Sequence, residues 1–192
     1  MISLCYHAFI EIKRGYTMLN IALTFSLEDE RRLGKVAQAL NEKVGSVYIT
    51  SQNSRAHLSL THIEGYEVEA DTMWKRLLDS GLKMEYEVVL KTFVVDSPWK
   101  GRVYTSFTIE EWGKLQKIQT NIMRIFNDRK VFNGYGADFE PHVTTSCHLD
   151  VLKRDKIPAQ KLPFKKLKAY LTLGTRDSYG RMERILYGGY KG

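Results

Sequence analysis

Leu19, Ile21, Leu23 and Phe25 alternate with Asn20, Ala22 and Thr24, a period of two that predicts a strand with one apolar face. Ser26, with Asp29 three residues on, resembles a capping box. The helix it opens carries Leu33, Val36, Leu40 and Val44 at helical spacing and stops at Gly45. Val47 and Ile49 suggest a short strand, and Gln52-Asn53-Ser54 turns the chain into a strand over about 56–64. A second helix, about 69–80, is expected to bury Trp74, Leu77 and Leu78 before ending at Gly81.

The second half varies the same theme. A long strand over 84–95 is broken by Asp96-Ser97-Pro98, and a strand over 102–109 places Val103, Phe107 and Ile109 largely on one face. Thr108 and Glu111 read as the next cap, ahead of a helix striped by Leu115, Ile118, Ile122 and Ile125. Gly134-Tyr135-Gly136 reads as a flexible loop before a strand over about 142–149, and 167–173 and 184–187 close the sheet. The pattern predicts an α+β fold: two pseudo-symmetric lobes of antiparallel or mixed sheet, helices on the outer faces, and a central cleft.

The 192 residues, 43% apolar, suit one bilobal domain over 18–192, with 1–17 as a loosely attached extension. Met1 to Phe9 lacks a basic region ahead of its apolar residues, so no signal peptide is expected, and no stretch reaches the length of a membrane span. Cys5 and Cys147 form neither a metal-type spacing nor a disulfide framework, which points to a reducing compartment, the cytoplasm. The net charge of +7 suits an anionic substrate or RNA, and no membrane or obligate protein partner is indicated. Lys165, Lys166 and Lys168 read as a solvated basic strand edge that can also track RNA.

The candidate chemistry lies in two short stretches, His57-Leu58-Ser59-Leu60 and His142-Val143-Thr144-Thr145. Side chains alternate along a strand, so His57 and Ser59 share a face, as do His142 and Thr144. The bare spacing is weak evidence, because 24 of 192 positions are Ser or Thr. Its context is stronger: Leu58 and Leu60 pack away from the first pair, and Val143 and Cys147 away from His142, Thr144 and Ser146. In an unbulged strand His62 faces away from His57, as a core or lobe-interface residue. His148 reads as a strand-end surface residue, and His7 falls in the extension. No cluster has zinc-ligand spacing, and no Gly-rich phosphate loop is present, so neither metal nor cofactor is expected.

These two motifs resemble those of the 2H phosphoesterase superfamily, which includes bacterial RNA 2',3'-cyclic phosphodiesterases and the 2',5'-oligoadenylate phosphodiesterases of some viruses. Phe139-Glu140-Pro141 before His142 is similar to the superfamily's lead-in, residues 21–25 to its opening strand, and Arg102-Val103-Tyr104 to the unit before its second motif. The likeness covers about 18–188. Ser59 replaces the commoner Thr, and Thr145 stands where an apolar residue is usual, which suggests a divergent branch.

The resemblance implies metal-independent hydrolysis of 2',3'-cyclic phosphates of RNA ends or nucleotides, with His57 and His142 as general acid and base. Ser59 and Thr144 would donate to the non-bridging oxygens. The motifs do not say which histidine is the acid; His57 as acid and His142 as base is the working assignment. For substrate binding, strand parity puts Arg102 and Tyr104 on the cleft; Tyr170 or Tyr179 can stack on a base, and Arg176 can meet a phosphate. Alternatives are a 2',5'-oligoadenylate phosphodiesterase, a 2',5' RNA ligase, or a non-catalytic RNA- or nucleotide-binding module using the same cleft.

Overall fold

The computed structural model describes residues 17–190, apart from 47, 51–53, 99–100, 149–150, 163 and 178. The predicted extension therefore lies outside the described residues except for Thr17, as do Val47, Gln52 and Asn53. The chain runs β1 (Thr17–Phe25), α1 (Leu27–Val44), β2 (Tyr48–Ile49), β3 (His57–Gly65), α2 (Ala70–Asp79), β4 (Glu85–Val95) and β5 (Val103–Ile109). It continues with α3 (Trp112–Ile125), β6 (His142–His148), β7 (Lys166–Arg176) and β8 (Met182–Gly188).

Every strand pairing is antiparallel, in the order β2-β6-β5-β4-β7-β1-β3, with β8 on β7. β4 belongs to both halves: Glu85 to Val89 pair with β7, whereas Leu90 to Val95 pair with β5. The sheet closes on itself enough for β3 and β6, far apart in strand order, to pack together. This is the predicted α+β architecture of two lobes. No helix among the described residues is long and apolar enough to cross a membrane.

The helices tie the lobes together. Ser26 caps α1, its hydroxyl accepting from the Asp29 amide at 3.1 Å, and Gly45 ends the helix at φ 72°, a conformation that costs a glycine little. Leu33, Ala37 and Leu40 are buried, and α1 packs on β2 and β6, in the half it does not follow in sequence. α3 packs correspondingly on β3. In α2 the buried face is Ala70, Met73 and Leu77, and Leu78 is exposed, because it lies about 100° around the helix from Leu77. The expected Thr108 cap does not form; Glu111 precedes α3 without a side-chain capping bond, its carboxylate pairing with Lys114, and the Thr108 hydroxyl donates to the Thr92 carbonyl in the neighbouring strand. Gly134-Tyr135-Gly136 leads into a 3-10 turn, Gly136–Asp138.

Both histidine strands contain a one-residue bulge at the same place. Between β1 and β3 the register steps from Ile21↔Thr61 to Ala22↔Ser59, passing over Leu60. Between β5 and β6 it steps from Thr105↔Ser146 to Ser106↔Thr144, passing over Thr145. Leu60 and Thr145 each lie three residues after their histidine. An extra residue reverses the alternation beyond it. Accordingly Leu60 and Thr61 are both buried, and so are Thr145 and Ser146.

A bulge leaves ladder groups without strand partners, and neighbouring groups meet several of them here. The Gln119 amide, fully buried on α3, donates to the Leu60 carbonyl at 2.8 Å and to the Gly134 carbonyl at 2.9 Å. Asn133 accepts from the His62 amide at 2.7 Å and donates to the Leu60 carbonyl at 3.2 Å. In the other lobe, Thr50 donates its amide to the Thr145 carbonyl at 3.1 Å and its hydroxyl to the Thr144 carbonyl at 2.9 Å. Gln119→Leu removes a buried donor shared by the carbonyls of Leu60, which is buried, and Gly134, which is exposed, and is expected to cost about 1–3 kcal/mol. The measurement is the urea midpoint, which should fall at unchanged slope; an unmoved midpoint would mean that the bulge does not need this amide.

Candidate active site

His57 opens β3 and His142 opens β6, so both rings stand at strand entrances. Each is anchored by the carbonyl two residues upstream: His57 Nδ1 lies 2.9 Å from the Arg55 oxygen, and His142 Nδ1 lies 2.8 Å from the Glu140 oxygen. A carbonyl only accepts, so these contacts place a proton on Nδ1 and leave Nε2 as the working nitrogen. The two lobes also match in register. Thr24↔His57, Ala22↔Ser59 and Asn20↔His62 in the first correspond to Thr108↔His142, Ser106↔Thr144 and Tyr104↔Cys147 in the second.

Because paired residues share a face, the bulges change which side chains reach the cleft. His62 turns toward Ser59, and its Nε2 lies 2.9 Å from the hydroxyl oxygen, contrary to the reading that it faces away. Cys147 takes the corresponding station in β6, fully buried, with Arg102 and Tyr104 as the neighbours of its thiol. Ser146 swings to the other side, bonding with the Thr105 hydroxyl at 2.6 Å and with His148 Nε2 at 2.9 Å. His148 is thus a buried residue and not a surface one, with its Nδ1 on the Gly45 carbonyl.

The predicted site residues fall in two groups. Around His57 lie Ser59, which accepts from the Asn20 amide at 3.0 Å, and Arg176 near the end of β7. Burial, followed by the charges of His142 and Arg176, outweighs the two backbone contacts and holds the His57 pKa below the usual histidine value. Burial also pulls the Arg176 pKa down to about 10. Its guanidinium rests on the Met18 thioether, and among the described residues no carboxylate lies within ion-pair distance of it. Around His142 lie Thr144, paired with Ser106, and Tyr104 and Arg102 at the Cys147 end. The Arg102 guanidinium covers the Tyr179 ring at 3.5 Å from its centroid, so that aromatic face is occupied. Tyr170 packs instead against Tyr190, with ring centroids 5.4 Å apart.

Several cleft groups had no signal in the motifs. His62 and Asn20 depend on the bulge. Asp96, read only as part of a turn, accepts from the Ser106 hydroxyl at 3.1 Å; burial raises its pKa, and the charge of His142 partly offsets that. Gly180, in the turn between β7 and β8, lays its carbonyl 3.1 Å from His57 Nε2. A neutral imidazole can donate to only one of its two carbonyl neighbours, so this turn competes for the nitrogen that chemistry would use. The basic strand edge is largely neutralised, Lys165 pairing with Glu110 at 3.1 Å and Lys166 with Glu87 at 2.9 Å. Among the described residues, no three His, Cys, Asp or Glu side chains converge as a metal ion would require.

No family model matches the chain, and no curated protein matches it. Among solved structures, the crystal structure of E. coli LigT complexed with phosphate is similar over 91% of this chain and 96% of that chain, at 14% identity and a TM-score of 0.56. At that identity the likeness is one of architecture: the chain has the LigT fold.

Proposed function

We propose that the chain is a 2H phosphoesterase that hydrolyses 2',3'-cyclic phosphates of RNA ends or nucleotides in the cytoplasm, without a metal ion. The observation that carries this reading is the duplicated station: a histidine anchored through Nδ1, with a hydroxyl two residues on, repeated in register in both lobes. The LigT structure of the same fold holds phosphate, which supports a phosphoryl ligand for this cleft. Arg176, near His57 and, among the described residues, without a carboxylate at ion-pair distance, supplies positive charge for such a group.

The reaction needs a base to take a proton from water as it attacks phosphorus, and an acid to protonate the departing ribose oxygen. Ser59 and Thr144 donate to the non-bridging oxygens, whose charge grows in the transition state. Charge is carried by protonation and hydrogen bonds, so turnover should persist in excess chelator. Arg102 and Tyr104, with Tyr179 held under Arg102, form the wall that meets the nucleoside, and no obligate protein partner is invoked. The electrostatics favour the reverse of the working assignment. His57, held neutral to lower pH than an ordinary histidine, is in the form a base requires and takes that role, which leaves His142 as the acid.

One observation favours the non-catalytic binding module: the Gly180 carbonyl on His57 Nε2. Catalysis requires the substrate to displace that contact. His57→Ala and His142→Ala should each lower turnover of a 2',3'-cyclic nucleotide by roughly 10²–10⁴. Tight nucleotide binding by the wild type without product, across cyclic-phosphate and 2',5'-linked substrates, would establish the module instead.

The acid–base assignment has its own test. A base must be neutral, so a lowered His57 pKa moves the acidic limb of kcat/KM below about 6.5, the ordinary histidine value. With an activated leaving group that needs no proton, the His142→Ala loss should shrink while the His57→Ala loss persists. The opposite pattern would restore His57 as the acid.

A further inference from the structure

The acid–base pair leaves one cleft imidazole unused. His62 sits at the bulge exit with its backbone pinned on both sides, the amide donating to Asn133 Oδ1 at 2.7 Å and the carbonyl accepting from the Phe132 amide at 3.0 Å. Its Nε2 lies 2.9 Å from Ser59 Oγ, and the Asn20 amide approaches the same oxygen at 3.0 Å. A hydroxyl has one proton and two lone pairs. If His62 carried its proton on Nδ1, Ser59 would donate to Nε2 and keep no proton for a ligand. If Nε2 carries the proton, both lone pairs of Ser59 are filled by Asn20 and His62, and the remaining O–H is free to point into the cleft.

We propose that His62 is a positioning residue: a neutral imidazole that donates Nε2–H to Ser59 and, with Asn20, aims the Ser59 hydroxyl at the phosphoryl oxygen of the substrate. This rests on the phosphodiesterase reading for the identity of that oxygen, and on the free structure alone for the tautomer. Neutrality has a physical basis: burial and the neighbouring charges of Arg176, His57 and His142 hold the His62 pKa well below the usual value. The arrangement belongs to one lobe only. At the matching station of the other lobe stands Cys147, engaged with Arg102 and Tyr104, so Thr144 has no such buttress.

Two measurements test it. First, His62→Leu and His62→Gln are compared in wild-type and Ser59→Ala backgrounds, with 2',3'-cyclic nucleotide as substrate. His62→Leu should lower kcat about tenfold with KM changed less than about twofold, and His62→Gln, which keeps a donor, should stay within about threefold of wild type. In Ser59→Ala, His62→Leu should cost nothing more. Full activity of His62→Leu, an equal loss in His62→Gln, or an additive loss in the Ser59→Ala background would overturn the proposal. Second, 15N NMR of the free wild-type protein should show His62 protonated at Nε2 near neutral pH; the Nδ1–H tautomer would overturn it whether or not any variant folds. Absence of turnover by the wild type would count against the phosphodiesterase reading alone, and the NMR result would still decide the role of His62.

Discussion

One extra residue in each histidine strand governs the site. Strand side chains repeat every two positions, so inserting a residue exchanges the faces of everything beyond it. Up to the bulge, His57 and Ser59, or His142 and Thr144, keep ordinary alternation. Past it, His62 and Cys147 turn to the side where the histidine and hydroxyl stand, and Ser146 leaves that side. Without the insertions the cleft would keep two histidines, their carbonyl anchors and two hydroxyls, but Ser59 would lose its contact with His62. The surroundings have adapted to keep the insertions in place: Gln119 and Asn133 meet the displaced backbone groups of one bulge, and Thr50 those of the other.

Local periodicity made most of the framework legible. The β1 alternation, the Ser26 cap, the Gly45 stop and the α1 stripe fall where the pattern places them, because each is decided by residues within one or two turns. The two motifs were legible for the same reason, since a spacing of two on a strand needs no tertiary information. What the sequence hid is what a single strand cannot encode. Nothing in His57-Leu58-Ser59-Leu60-Thr61-His62 marks Leu60 as the residue without a partner; that follows from the match with β1 and from Gln119, 59 positions away. Asp96 shows the same limit: its turn signal is local and real, while its neighbour Ser106 comes from the next strand.

The net charge of +7 is also more localised than it looks. Lys165 and Lys166 are spent on Glu110 and Glu87 at the surface. In the cleft, by contrast, Arg176 stands near His57 and His62 and, among the described residues, has no carboxylate within ion-pair distance, Asp177 pairing instead with Arg181. Surface pairs contribute little to stability and are screened by salt, whereas an unpaired, half-buried guanidinium costs folding energy unless a ligand supplies the counter-charge. The placement of positive charge, more than its amount, is what suits an anionic ligand.

Two copies of one motif are useful for acid–base chemistry only if they stop being equivalent. A strictly symmetric pair holding one proton shares it equally between the two rings, so neither is fixed as the acid or as the base. Here the frame is repeated station for station, while its furnishings differ. His57 faces Arg176, His62 and the Gly180 carbonyl; His142 is exposed and lies near the Asp96 carboxyl. Those differences give the two imidazoles unlike hydrogen-bond partners and unlike neighbouring charges while leaving the shared Nδ1 anchors intact, so they can separate the roles of the two rings. Under the proposed function, these departures from symmetry are what set the two rings to different tasks, and His62 is one of them.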